Sequence, residues 1–131
     1  MAQLFRQMTV CGVGLIGGSL AIDARGQGLV GRIVGFGRTQ ANLDIAMSRR
    51  IIDAASRDGA DAARGSDLIV LAVPITTMRE TLASMIPNCD PGAVITDVGS
   101  VKGWVVRELE PLIPEGMALV AAHPIAGKET T

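Results

Sequence analysis

Short apolar runs alternate with longer stretches of roughly fourfold apolar spacing, and this alternation predicts parallel strands joined by crossover helices. Residues 8–12 and 32–36 read as the first two strands. Between them a helix over 16–27 puts Ile16, Leu20 and Ala24 on one face, with Gly26 and Gly28 to end it. A helix over 39–50 carries Leu43, Ala46 and Met47 on one side. A brief third strand is expected over 51–53 and a short helical turn over 61–64. Residues 68–73 are apolar throughout, as in a strand buried on both faces, and the run stops at Pro74, which has no N–H for a ladder. Further on, 75–86 and 101–109 read as helices, 93–97 and 117–121 as strands, and Pro87, Pro91 and Gly92 as a loop. The fold class this predicts is α/β, with a doubly wound, mostly parallel sheet and helices on both faces.

Composition narrows the function classes. A chain of 131 residues is sized for one domain with a single core, and 48% apolar against 19% charged residues excludes a disordered tail. Twelve Lys and Arg against thirteen Asp and Glu leave no basic footprint for nucleic acid or an anionic membrane. The isolated Cys11 and Cys89 argue against a disulfide scaffold or a zinc site. The start is no signal peptide and no apolar run is long enough to cross a bilayer, so a cytoplasmic location is expected. Sixteen glycines with only Phe5, Phe36 and Trp104 as aromatics imply a core of Val, Ile, Leu and Ala, with little on which to stack bases. The sequence ends at Glu129-Thr130-Thr131, soon after a predicted strand and without a covering helix, and this reads as a cut chain.

The strongest chemical signal is Gly12-Val13-Gly14-Leu15-Ile16-Gly17, a GxGxxG between a predicted strand and a predicted helix. In that context Gly12 permits a tight turn, Gly14 lets the backbone approach a pyrophosphate, and Gly17 lets helix and strand pack closely. The helix N-terminus adds free N–H groups and a positive dipole end, so a Rossmann-type dinucleotide site is expected. An acidic residue about 20 positions further on would hold the ribose 2′-hydroxyl of NAD. Gly37 stands there instead, followed by Arg38 and Thr39. Glycine leaves room for a 2′-phosphate, Arg38 can pair with it bidentately and Thr39 can add a hydroxyl, so NADP is favoured over NAD. The plainer alternative is a solvated arginine after a turn.

Other candidates sit where predicted strands end. Ala72, Val73 and Pro74 join Gly12, Gly14, Leu15, Ile16, Gly17, Gly37, Arg38, Thr39 and Ser100 as candidate cofactor contacts. Ser100 suits an N-cap for the helix after it, and its hydroxyl remains able to donate into a cleft. Asp97 reads as a turn or cap residue. Lys102 falls in the first helical turn, where the macrodipole disfavours a cation, which hints at a nearby anion. His123, the one histidine, follows a strand and precedes a proline, a position from which it can serve as a base in the cofactor crevice. No serine-hydrolase elbow and no glycosidase-like carboxylate pair is present.

Taken together, Gly12–Ala21 (GVGLIGGSLA), the run from Val70 to Pro74, Asp97-Val98-Gly99-Ser100-Val101-Lys102 and His123-Pro124-Ile125-Ala126-Gly127 resemble the prephenate/arogenate dehydrogenase family. The last two segments, in that order, carry the specificity. The resemblance implies an oxidative decarboxylation of prephenate or arogenate, with hydride passing to the nicotinamide. It makes His123 the base that deprotonates the ring hydroxyl, Ser100 the residue that orients it and touches the nicotinamide, and Lys102 a cation on the substrate side. It further implies that 1–131 is the dinucleotide-binding domain, and that a helical domain for dimerisation and substrate closure is absent from this chain. The isolated chain is then expected to bind NADP and turn over little. Family members often carry an acid where Gly37 stands, which again favours NADP here. The rivals are another Rossmann-type dehydrogenase or reductase, and a dinucleotide-sensing module without chemistry.

Overall fold

A computed structural model describes residues 3–98 and 102–121. Along the chain run β1 (Phe5–Cys11), α1 (Leu15–Gly26), β2 (Val30–Phe36), α2 (Gln40–Ser48), β3 (Ala54–Ser56), α3 (Gly59–Ala63), β4 (Leu68–Leu71), α4 (Ile75–Met85), β5 (Val94–Asp97), α5 (Lys102–Leu109) and β6 (Ala118–Ala121). The strands form a single sheet in the order β3-β2-β1-β4-β5-β6, with every neighbouring pair parallel. The fold is the Rossmann-type doubly wound sheet that the alternation predicts.

Helices cover both faces because successive strand residues point to opposite sides. Met8, Val10, Ile33 and Val70 meet Ala21 of α1 and Leu43 and Ala46 of α2. On the other face Cys11, Ile69, Leu71 and Ile95 meet Met78, Leu82 and Met85 of α4 and Val105 and Leu109 of α5.

Four sequence expectations shift. The third strand lies at Ala54–Ser56 rather than 51–53. Ile52 is buried in the core below α2, and Asp53 turns its carboxylate to accept the Ile33 N–H at 2.8 Å. Apolar character there marks burial rather than a ladder. In α1 the closest face is built from Gly17, Gly18 and Ala21, with Leu20 and Ala24 only partly buried beside them. Met47 leaves the expected α2 stripe and is 41% exposed, since nine residues bury only Leu43 and Ala46. Asp97 closes β5 in register with Leu71 and is 3% exposed, so it belongs to the ladder rather than to a turn.

Candidate functional site

The carboxyl ends of the strands are tied side by side. The Gly12 N–H donates to the Phe36 carbonyl at 2.8 Å, Ala72 to Cys11 at 2.8 Å, and Val98 to Leu71 at 3.0 Å. These bonds carry the ladder one residue past β1, β4 and β5 and fix the turns after them. Beyond β1 the chain winds to one face through α1, and beyond β4 to the other through α4. Open α/β sheets bind ligands in the crevice at such a switch point. A cleft of about 320 Å³ lies there.

Gly12, Gly14, Gly37, Arg38, Thr39, Ala72, Val73 and Pro74, all anticipated, line this one cleft. Gly12 has φ +88°, and a Cβ on it would stand 2.6 Å from the Ala72 carbonyl oxygen, so only glycine fits. A Cβ on Gly17 would collide with the Gly12 carbonyl oxygen, which explains how α1 comes so close to β1. Gly14 is different: nothing lies within 4 Å of the position its Cβ would take. It is the N-cap of α1, has no side chain to cap the helix, and no acid stands in the first turn. The free N–H groups of that turn, opened by Leu15 and Ile16, therefore remain for an anion. The side chains of Leu15 and Ile16 are not described.

At the other end of the cleft Thr39 is the N-cap of α2, yet its hydroxyl makes no capping bond, and the first turn again holds no acid. Arg38 is exposed, with its guanidinium 3.9 Å from Glu80 on α4. No carboxylate stands among the described residues that line the cleft. Asn42, Thr77 and Thr81 also line it and escaped the sequence reading. The i, i+4 threonines just after Pro74 were the available signal, because they share one face of the helix that leaves β4. Thr81 is buried.

Cys11 ends β1 next to the glycine turn, but it is no nucleophile. Burial pushes its thiol far up, and the sulfur sits 3.4 Å from the Met85 sulfur.

Ser100 and His123 lie outside the described residues, and Lys102 is the first residue of α5, its side chain not described. The strands that lead to them are placed: β5 continues through Val98 beside Leu71, and β6 ends at Ala121 in register with Asp97. Among the described residues no helix is long and apolar enough to cross a membrane.

Residues 20–131 match the family described as prephenate dehydrogenase, nucleotide-binding domain. A cyclohexadienyl dehydrogenase of Zymomonas mobilis is 31% identical over 126 residues, covering 96% of this chain and 43% of that protein. A prephenate dehydrogenase of Lactococcus lactis is 33% identical over 124 residues, covering 93% of this chain and 34% of its own length. Among solved structures, the prephenate dehydrogenase of Aquifex aeolicus, in complex with hydroxyphenyl propionate and NAD+, is similar at a TM-score of 0.82 and 33% identity, over 95% of this chain and 43% of that one. The arogenate dehydrogenase of Synechocystis follows at 0.79 and 33%, over 90% of this chain and 40% of that one. The chain thus spans less than half the length of each of these relatives.

Proposed function

Since this chain belongs to the prephenate dehydrogenase family, with its nucleotide-binding domain, we propose that it holds NADP for the oxidative decarboxylation of prephenate or arogenate. One observation carries the cofactor reading: the glycine turn after β1 and the Gly37-Arg38-Thr39 loop after β2 line a single cleft, with no carboxylate among its described lining residues. The open space at Gly14 and the uncapped start of α1 suit a diphosphate. Arg38 and the Thr39 hydroxyl suit a 2′-phosphate, with Gly37 leaving the room that a carboxylate would deny it.

When bound, the oxidised nicotinamide supplies the hydride acceptor. The chain's own groups do the rest. His123 takes the proton of the ring hydroxyl, for which a neutral imidazole of pKa about 6.5 is competent, and positioned base catalysis is typically worth about 10²–10⁴-fold. By the family resemblance, Ser100 is the residue that orients that imidazole, and Lys102 supplies a cation for the substrate carboxylates. The ring carboxylate leaves as CO2 as the ring becomes aromatic. A further helical domain, such as the family resemblance implies, completes the substrate site and forms the homodimer, so 1–131 alone binds cofactor and turns over little.

The test is paired calorimetric titration of the chain with NADP and NAD, for the unaltered protein and for Arg38→Ala. The expected result is tighter NADP binding, and loss of that preference in the variant. Tighter NAD binding by the unaltered chain would overturn the NADP assignment. Near-normal dehydrogenase turnover by residues 1–131 would overturn the proposed division of labour between domains.

A further inference from the structure

The Arg38–Glu80 pair ties the cleft-lining loop after β2 to α4. Arg38 comes from the loop between β2 and α2, and Glu80 from α4, one residue before the cleft-lining Thr81. Their charged atoms are 3.9 Å apart, beyond a good hydrogen bond, and the side chains are 71% and 77% exposed. We propose that Glu80 is a specificity-determining residue, one that engages Arg38 when no 2′-phosphate is present and thereby tunes discrimination between NADP and NAD. This rests on the 2′-phosphate reading of the Gly37-Arg38-Thr39 loop.

The physical case is one of exchange. An exposed pair of this kind is worth at most about 1 kcal/mol, so a ligand can break it. A phosphate monoester brings close to two negative charges and three acceptor oxygens, which makes it a better partner for a guanidinium than one carboxylate at 3.9 Å. NADP therefore draws Arg38 away from Glu80 and binds less tightly by the value of the pair it breaks. NAD presents only a hydroxyl at that position and leaves the pair in place. Glu80 thus weakens one cofactor and not the other, although it does not itself line the cleft. A carboxylate directly beside the ribose would act by contact. This one acts through its neighbour.

Titrations of NADP and NAD into the unaltered chain, Glu80→Gln, Glu80→Lys, Arg38→Ala and the Arg38→Ala/Glu80→Gln double variant test it. Glu80→Gln is expected to tighten NADP about two- to fivefold, the range an exposed pair allows, with NAD moving less than that. The gain should shrink in about 0.5 M salt, where exposed charges are screened. Glu80→Lys, which places a cation near Arg38, should tighten NADP further. In the Arg38→Ala background the Glu80→Gln gain should vanish. The proposal is overturned if NADP binding is unchanged in both Glu80 variants, if NAD tightens equally, or if the gain survives without Arg38. The readout is a change in the NADP/NAD ratio, so it stands apart from which cofactor wins in the unaltered chain, the outcome that decides the reading beneath it.

Discussion

Several helices begin at the carboxyl edge of this sheet, and they begin in two ways. The short α3, which follows the edge strand β3, is capped by Asp58, whose carboxylate accepts the Asp61 N–H at 3.0 Å, and an acid stands in its first turn. The helices around the cleft, α1, α2 and α4, start at Gly14, Thr39 and Pro74 with no side-chain cap and no acid in the first turn. Capping with an acid satisfies orphan N–H groups and suits the helix dipole, and it also fills the place an anionic ligand would take. Away from the cleft the sequence serves stability. At the cleft it leaves donors unspent. The glycines divide along the same line: Gly12 and Gly17 are required by the protein's own atoms, whereas a Cβ on Gly14 would meet nothing.

The largest effect should come from the glycines of construction. Gly17→Ala drives a methyl into the Gly12 carbonyl, a backbone atom that cannot step aside. Overpacking of this kind costs about 1–3 kcal/mol, and the upper end is expected here. Thermal unfolding checks it, and a Tm within a degree of the unaltered chain would erase the distinction between the two kinds of glycine. Gly14→Asp tests the other kind. It supplies the N-cap that α1 lacks, so Tm should hold or rise, while a carboxylate at the diphosphate position should cut dinucleotide affinity about 100-fold, or about 2.7 kcal/mol. Calorimetry beside unfolding separates the two quantities. A joint fall in both would mean that Gly14 serves the fold.

Gly37→Asp stands between these cases. Its Cβ would lie 3.3 Å from Leu43 Cδ2, a side-chain atom able to shift by tenths of an ångström, so the fold should tolerate it. The new carboxylate repels a 2′-phosphate and can accept from a ribose hydroxyl. NADP should weaken about tenfold and NAD should tighten, a reversal readable from the ratio of dissociation constants. If both cofactors weaken alike, the loop is a wall of the cleft rather than its reader.

The sheet and its winding were legible because buried parallel strands need unbroken apolar runs, and 68–73 offers one that needs no tertiary context. The glycine turn was legible because its spacing encodes a backbone shape. The place of β3 was not, since Ile51 and Ile52 carry the apolarity of a strand into a plug beneath α2. Thr81 was missed for a related reason: its spacing from Thr77 puts the two on one helix face, but which way that face turns is set only when α4 docks against the sheet. Nor does any local rule foresee that Arg38 meets Glu80, forty-two positions away, because only the doubly wound topology brings the β2–α2 loop against α4.

The smallest effect is the sharpest test of the contrast between helix starts, because Thr39 and Asp58 occupy the same position in two helices. Asp58→Ala removes a bond that exists, and losing such a cap typically costs about 1 kcal/mol. Thr39→Ala removes a hydroxyl that caps nothing, so its cost in stability should be below about 0.5 kcal/mol, as for a surface change away from any structural bond. Whatever Thr39 contributes should then emerge in binding: a loss of NADP affinity of a few fold, with NAD unaffected, because only the former brings an oxygen cluster to that hydroxyl. Denaturant unfolding of the two variants in parallel, at equal m-values, gives the comparison directly. Equal losses of stability would mean that Thr39 caps α2 in solution after all, and the loop after β2 would lose one of its two proposed phosphate contacts.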